Sequence, residues 1–286
     1  ALREGCTRRN EVCYRFAVLW RRAKCSSPSR LREREVDVGL NTLFFREKEL
    51  WKTKTDGTIR KSKEEEYVSM SDWNYVFFDL DGTLTDPKTG ITLSAAYALS
   101  SFGIGVEDTE SLCKFIGPPL RDSFMEFYGF SKEQADLGIQ KFRERYEKIG
   151  WKENLPYPGI EKLLGKLKSA GKRLFVATSK PEVMAERILV HFGMDGYFEL
   201  IAGADLEEIR VKKADVLRYA MGQLEGIVKE ESVMVGDRMH DIAGAKEVGI
   251  NAIGVLYGYG SREELLHAGA DNIAASVQEL EEMLIK

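Results

Sequence analysis

The sequence lacks the features that several classes of protein require. No apolar run approaches the roughly 18 residues that a membrane-spanning helix needs, so we expect no integral membrane segment. The chain has only four cysteines, without Cys-x-x-Cys spacing, and three scattered histidines, which argues against a zinc site or a disulfide scaffold. Few cysteines without a disulfide or zinc-binding pattern are typical of proteins in a reducing compartment. The expected location is therefore cytoplasmic.

Apolar and charged residues are both plentiful. The 286 residues are 43% hydrophobic and 31% charged, which excludes a disordered chain and allows one large or two medium domains. The formal net charge of −4 conceals a division of charge along the chain. Residues 1–69 carry 17 Lys and Arg against 11 Asp and Glu, whereas the remaining 217 residues carry 25 against 35.

The basic segment, residues 1–69, shows no sustained helical or strand periodicity, and arginine flanks its short apolar clusters. A strong strand pattern begins only after Met70. Our leading hypothesis is therefore that the native product starts at Met70 and that residues 1–69 are a non-native or disordered extension. The alternative is a functional basic arm that binds nucleic acid or an anionic surface.

From Met70 onward, short apolar runs alternate with amphipathic helical segments. The runs resemble buried parallel strands and are Tyr75–Leu80, Arg173–Thr178, Phe198–Ala202, Ser232–Gly236 and Asn251–Val255. This alternation predicts an α/β fold in which helices cover both faces of a parallel sheet.

One block departs from the alternation. Residues 88–156 contain no convincing strand but several helical segments: Leu93–Phe102, Thr109–Phe115, Leu120–Tyr128 and Lys132–Ile149. An all-helical insertion between the first and second strands is expected to form a cap domain. The core would then consist of residues 70–87 and 157–286.

Polar residues follow the predicted strands, at the ends where doubly wound sheets bind their ligands. In chain order they are Asp79, Asp81 and Gly82, then Thr178 and Ser179, then Lys212 and Lys213, and finally Asp237 and Asp241. Each alone has a plainer explanation as a turn, a helix N-cap, a loop or a solvated lysine. Their joint occurrence at successive strand ends favours catalysis.

These motifs closely resemble those of the haloacid dehalogenase-like hydrolase superfamily in its capped phosphatase branch. The strongest signals are Asp-x-Asp-Gly-Thr-Leu-Thr and Gly-Asp-x-x-x-Asp. The resemblance runs from about Asn74 to the C-terminus and implies a Rossmann-like core with an inserted helical cap. Residues 254–261 and 268–271 further resemble the phosphoglycolate phosphatase-like group.

The activity that the resemblance implies is Mg²⁺-dependent hydrolysis of a small phosphorylated metabolite. The alternatives are a 5′-nucleotidase, a sugar phosphatase or phosphomutase of the same fold, and a non-catalytic module that binds phosphorylated metabolites. No nucleic acid polymer or membrane is an expected partner, and a homodimer is a further possibility.

The resemblance also implies a role for each acidic motif. Asp79 would be the nucleophile that forms an aspartyl-phosphate, and Asp81 the general acid and base. Gly82 permits the turn that lets the two carboxylates act together, and it counts among the substrate-binding positions. The implied Mg²⁺ ligands are the Asp79 carboxylate, the Asp81 backbone carbonyl and Asp237, with Asp241 in or beside the same shell.

The remaining positions would contact the phosphate or the rest of the substrate. The Thr178 hydroxyl and the Ser179 amide suit phosphoryl oxygens. A lysine would neutralise developing charge, and the register of the following helix favours Lys213, with Lys212 as the alternative. In the cap, Arg121 follows a Gly-Pro-Pro turn. It either reaches the substrate or is an exposed residue of a helix–helix connection.

Overall fold

The computed structural model describes residues 48–53, 59–64, 72–205 and 210–285. The chain divides into two units, Ala1–Val68 and Ser69–Lys286. In the first unit, β1 (Lys48–Thr53) and β2 (Ile59–Glu64) form an antiparallel hairpin. The sequence pattern did not predict this hairpin, because its strands carry too few apolar residues to show alternation. Met70 lies outside the described residues, and a native start there stays a prediction.

Among the described residues, the second unit contains a six-stranded parallel sheet, as predicted, with strand order β10-β9-β8-β3-β6-β7. Two short strands, each of two residues, pair with each other outside this sheet. The strands of this unit are β3 (Tyr75–Phe78), β4 (Thr85–Asp86), β5 (Leu155–Pro156), β6 (Arg173–Pro181), β7 (Leu200–Ala204), β8 (Ser232–Gly236), β9 (Asn251–Val255) and β10 (Asn272–Ala274). Only β10 and the short β4 and β5 had no counterpart in the sequence prediction.

Helices connect these strands. They are α1 (Lys88–Ser100), α2 (Leu120–Tyr128), α3 (Lys132–Tyr146), α4 (Ile160–Ser169), α5 (Glu182–His191), α6 (Lys213–Gln223), α7 (Met239–Val248), α8 (Arg262–His267) and α9 (Val277–Leu284). Short 3-10 segments lie at Thr109–Phe115, Gly150–Lys152, Asp195–Tyr197 and Lys229–Glu231. None of the helices in the described ranges has the length and apolar character to cross a membrane.

Both faces of the sheet are buried. Phe77 packs on Phe175 with ring centroids 4.8 Å apart, on the face that α6 and α7 cover. Its neighbours Val76 and Phe78 lie on the opposite face, beneath α4, α5 and α9. Because every position of the central strands faces a helix layer, these strands are continuous apolar runs, which explains why the sequence predicted them.

The order of the strands determines where the polar strand ends meet. From β3 the chain proceeds outward through β6 and β7, then returns to β8 on the other side of β3. The carboxyl ends of β3, β6 and β8 are therefore neighbours at the point where the strand order reverses. In open parallel sheets this point forms the ligand-binding crevice.

Residues 88–156, called the cap segment below, contain α1 to α3, two 3-10 segments and β5. β4 and β5 pair antiparallel, with Thr85 opposite Pro156, so the connections into and out of the cap segment run side by side. The sequence predicted the bounds of α2 correctly, whereas it missed the two-residue β5 at the end of the segment. The division into separate cap and core domains stays a prediction.

Helix α1 begins at Lys88, five residues before the predicted start at Leu93. The sequence did not predict this helix start, because Gly90 has a low helix propensity and weakens the helical pattern. In the structure Gly90 allows α1 to approach the backbone of Gly150 closely, since a Cβ at Gly90 would lie 2.0 Å from the carbonyl oxygen of Gly150. The Gly90 amide also donates a hydrogen bond to the Glu153 carbonyl, 3.0 Å away.

Gly90→Ala is therefore expected to lower the free energy of unfolding by about 1–3 kcal/mol, the scale of core overpacking. Gly222→Ala is the matched control, because Gly222 lies in α6 and the position of an added Cβ there is open space. That substitution should be neutral or stabilise by up to about 1 kcal/mol, as alanine does in helices. Urea unfolding measures both variants, and a stabilised Gly90→Ala protein would contradict the close-approach argument.

Candidate active site

Three buried carboxylates meet at the reversal point of the sheet. Asp79 directly follows β3, Asp237 directly follows β8, and Asp241 lies in the first turn of α7. Their side chains can each present a carboxylate oxygen within 4.8 Å of the others. All three residues are at least nine-tenths buried. Negative charges so close and so poorly solvated repel one another, so the cluster requires positive charge nearby.

Lys213 supplies one positive charge from the start of α6. Its Nζ lies 2.8 Å from Asp79 Oδ1 and 2.8 Å from Asp241 Oδ1, and it donates a hydrogen bond to the Ala177 carbonyl at 2.8 Å. Burial by itself would lower the pKa of Lys213, but the Asp241 and Asp79 carboxylates outweigh it and raise the pKa. The neighbouring Lys212 is exposed. The structure thus brings Lys213, and not Lys212, against the carboxylates.

Glycines let the backbone close tightly around Asp237. Gly82 has a φ of +85°, and a Cβ there would lie 2.2 Å from Asp237 Oδ2. A Cβ on Gly258 would lie 2.4 Å from the Cβ of Asp237. The carboxylate accepts hydrogen bonds from the Thr83 hydroxyl at 3.3 Å and from the Tyr259 amide at 2.8 Å. Its orientation is therefore set by backbone and side chain together.

The donor set fits a hard divalent cation. Burial raises the pKa of Asp237 well above its usual range, and repulsion from Asp241 and Asp79 adds to the shift. Burial likewise raises the pKa of Asp241 to about 6, although Lys213 opposes it. Asp79 Oδ1 is buried and, apart from its ion pair with Lys213, has no hydrogen-bond partner among the described residues. Buried oxygen ligands with excess negative charge are what Mg²⁺ prefers.

The Asp81 side chain lies outside this cluster. The strand ends at Phe78, and the chain turns so that the Gly82 amide donates to the Thr85 carbonyl at 2.8 Å. Asp81 Oδ2 is 2.6 Å from the Nζ of Lys180, whereas Oδ1 is buried without a hydrogen-bond partner among the described residues. Burial raises the pKa of Asp81, even though Lys180 lowers it. A carboxyl of this kind is suited to carry a proton.

The sequence analysis did not single out Lys180. It follows Thr178 and Ser179 near the end of β6, where a single lysine shows no pattern that separates a buried ion pair from a solvated charge. Thr178 is buried, and its Oγ1 accepts a hydrogen bond from the Lys180 amide at 3.2 Å. Ser179 lies in β6, and its amide is three residues before the start of helix α5 at Glu182.

A cavity of about 670 Å³ joins these strand ends to the cap segment. Asp79, Asp81, Thr178, Ser179 and Lys180 line it from the core. From the cap segment its walls are formed by residues that include Phe115, Arg121, Phe142, Arg143 and Tyr146.

Arg121 lines the cavity, as the sequence analysis allowed, while its guanidinium pairs with Asp136 at 2.7 Å. Arg238 connects the two sides of the site. Its Nη1 donates to the Ile116 carbonyl of the cap segment at 2.6 Å, and its Nε pairs with Glu264 at 2.9 Å. The cap segment is therefore held to the core next to Asp237.

Comparison with known proteins identifies the family of this chain. The family model described as haloacid dehalogenase-like hydrolase matches residues 76–255. A 5′-nucleotidase from Pseudomonas aeruginosa is 43% identical over 209 residues, which cover 73% of this chain and 94% of that protein. The tyrosine-protein kinase PtkA of Mycobacterium tuberculosis is 42% identical over 212 residues, covering 73% of this chain and 72% of the kinase.

Solved structures show the same likeness. The crystal structure of a predicted phosphatase from Clostridium acetobutylicum superposes with a TM-score of 0.72 at 50% identity, covering 74% of this chain and 98% of that chain. Proteins named phosphoglycolate phosphatase also occur among the relatives. The chain accordingly belongs to the haloacid dehalogenase-like hydrolase family and is a phosphoric monoester hydrolase.

Proposed function

We propose that this chain hydrolyses phosphate monoesters of small metabolites in an Mg²⁺-dependent reaction, through an aspartyl-phosphate on Asp79. The contact of one buried ammonium, that of Lys213, with both Asp79 and Asp241 at 2.8 Å carries the proposal. The ammonium lies against the Asp79 carboxylate, the proposed nucleophile, and would remain next to the position where the phosphoryl charge develops.

The metal would be held by the Asp79 and Asp237 carboxylates and the Asp81 backbone carbonyl, with Asp241 in or beside the shell. When bound, Mg²⁺ supplies the charge that lets a phosphate dianion enter a site lined with carboxylates. The excess of three carboxylates over one lysine in the cluster supports this assignment.

The chain's own residues account for two chemical steps. In the first, an Asp79 oxygen attacks phosphorus, the ester P–O bond breaks, and the leaving oxygen takes the proton of Asp81. In the second, water attacks the phosphoryl group, Asp81 takes the proton of that water, and orthophosphate leaves as Asp79 is regenerated. The Thr178 hydroxyl and the Ser179 amide would bind phosphoryl oxygens, and the cap segment would exclude bulk water.

The size and lining of the cavity favour a nucleoside monophosphate over a smaller ester. A volume of about 670 Å³ exceeds what a two-carbon ester such as phosphoglycolate needs. Phe115, Phe142 and Tyr146 make part of the cavity wall apolar, as is usual for a pocket that takes an organic group larger than a phosphate. The similarity to a protein named 5′-nucleotidase supports the same substrate class. We therefore rank 5′-nucleotidase activity ahead of phosphoglycolate and sugar phosphate hydrolysis.

Phosphate release from a panel of esters tests the function. The panel contains 5′-nucleoside monophosphates, phosphoglycolate and a hexose phosphate, each with Mg²⁺ and with EDTA. The nucleotides should show the highest kcat/KM, EDTA should abolish release, and folded Asp79→Asn should be inactive because an amide does not attack phosphorus. A higher kcat/KM for phosphoglycolate would overturn the substrate ranking, and an active Asp79→Asn variant would overturn the nucleophile.

Asp81→Asn should slow esters with poor leaving groups most. An alkyl phosphate requires a proton on the departing oxygen, and losing a general acid costs about 10²–10⁴-fold in rate. p-Nitrophenyl phosphate needs little proton donation, so its rate of aspartyl-phosphate formation should fall much less. Single-turnover kinetics separates that step from hydrolysis of the intermediate. Equal losses for the two substrates would contradict Asp81 as the acid.

Lys213→Met should lower kcat by about 10²-fold or more, the scale for removing one preorganised electrostatic donor. Lys212→Met is the adjacent control and should behave nearly as the wild-type protein does, because the Lys212 side chain is exposed. Steady-state kinetics at saturating Mg²⁺ compares the two variants. If neither substitution changes kcat, the charge-stabilising role of Lys213 is wrong.

A further inference from the structure

Lys180 is a buried lysine to which the two chemical steps assign no role. Its side chain is only 6% exposed, although it lines the cavity beside Asp81. Burying an ammonium is unfavourable unless it is paired, and its contacts therefore indicate what holds it there. Two contacts dominate: one is with Asp81 from the core, and the other is with Tyr146 from the cap segment.

The first contact distinguishes the two oxygens of Asp81. Oδ2 is 2.6 Å from Lys180 Nζ, whereas Oδ1 has no hydrogen-bond partner among the described residues. The terminal torsion of an aspartate is otherwise broad, so a free carboxyl would sample many orientations. The ion pair restricts this torsion, and the other oxygen, Oδ1, is left buried beside the cavity with its hydrogen-bonding capacity unused by the described residues.

The second contact depends on the cap segment. Tyr146 is the last residue of α3 and is 5% exposed. Lys180 Nζ lies 4.8 Å from the centroid of its ring. A desolvated cation over an aromatic face at this distance is attracted by the ring quadrupole. The same ammonium therefore contacts the acid of the core and an aromatic ring of the cap segment.

We propose that Lys180 is a positioning residue for the general acid: its ammonium holds Oδ2 of Asp81 so that Oδ1 faces the leaving group, and the Tyr146 ring holds the ammonium in that place. The proposal rests on the proposed function, because it requires Asp81 to be the acid. It couples proton donation to the position of the cap segment. An open cap segment would leave Lys180, and with it Asp81, less well oriented.

A double-mutant cycle between Lys180→Met and Asp81→Asn tests the proposal. The quantity measured is the single-turnover rate of aspartyl-phosphate formation. It is measured for an alkyl phosphate and for p-nitrophenyl phosphate. Lys180→Met alone should slow the alkyl phosphate by about 10²-fold, at the lower end of the range for general acid catalysis, and slow p-nitrophenyl phosphate much less. In the Asp81→Asn background it should cause no further loss. Lys180→Arg, which keeps the charge, should restore part of the alkyl phosphate rate.

Tyr146→Leu provides a second variant that keeps the Lys180–Asp81 pair and removes the ring. It should show the same preference for the activated substrate, with a smaller loss than Lys180→Met. Lys246→Met is the matched control, since Lys246 pairs with Asp271 away from the cavity. It should retain wild-type rates.

A Lys180→Met loss that is equal for both substrates, or that multiplies with the Asp81→Asn loss, would overturn the proposal, because Lys180 would then act independently of the acid. A Tyr146→Leu loss without leaving-group dependence would overturn the part that concerns the cap segment. These outcomes differ from failure of the proposed function, in which the wild-type protein with Mg²⁺ would release no phosphate from any ester.

Discussion

The charge compensation of Lys213 is the interaction on which the site depends. Its ammonium contacts two of the three buried carboxylates at the carboxyl ends of the sheet, those of Asp79 and Asp241. One lysine does not neutralise three carboxylates. Burial raises the pKa values of Asp237 and Asp241, and the negative charge of the neighbouring carboxylates adds to the rise. We propose that this excess of negative charge binds a divalent cation, which would allow a phosphate dianion to enter the site.

Close packing of the backbone makes this concentration of charge possible. Besides Gly82 and Gly258, Gly236 is needed, because a Cβ there would lie 2.3 Å from the Cβ of Asp241. The three glycines bring the loops after β3 and β9 within contact distance of Asp237, and the end of β8 within contact distance of Asp241. A site built on strand ends and helix starts is more rigid than one on free loops, and electrostatic catalysis requires that rigidity.

The cap segment completes the site from the other side. Arg238 holds the Ile116 carbonyl near Asp237, and Lys180 lies between Asp81 and Tyr146. Both contacts join residues far apart in the chain and link the cap segment to the core. The cavity between them has room for a substrate larger than its phosphate. We propose that the residues at the strand ends carry the chemistry and that the lining of the cavity by the cap segment selects the ester.

The sequence alone determined the parallel sheet, because central strands such as Ser232–Gly236 are buried on both faces and read as continuous apolar runs. It also located the candidate acidic residues, since polar residues after such runs must gather at one edge of the sheet. Tertiary structure decided the rest. Local periodicity reports which residues are buried, but it does not report which distant residues meet. Helix register already favoured Lys213 over Lys212. The contacts of Lys213 with Asp79 and Asp241, the early start of α1 at Lys88 and the pairing of Lys180 with Asp81 emerged only from the packing of elements remote in the chain.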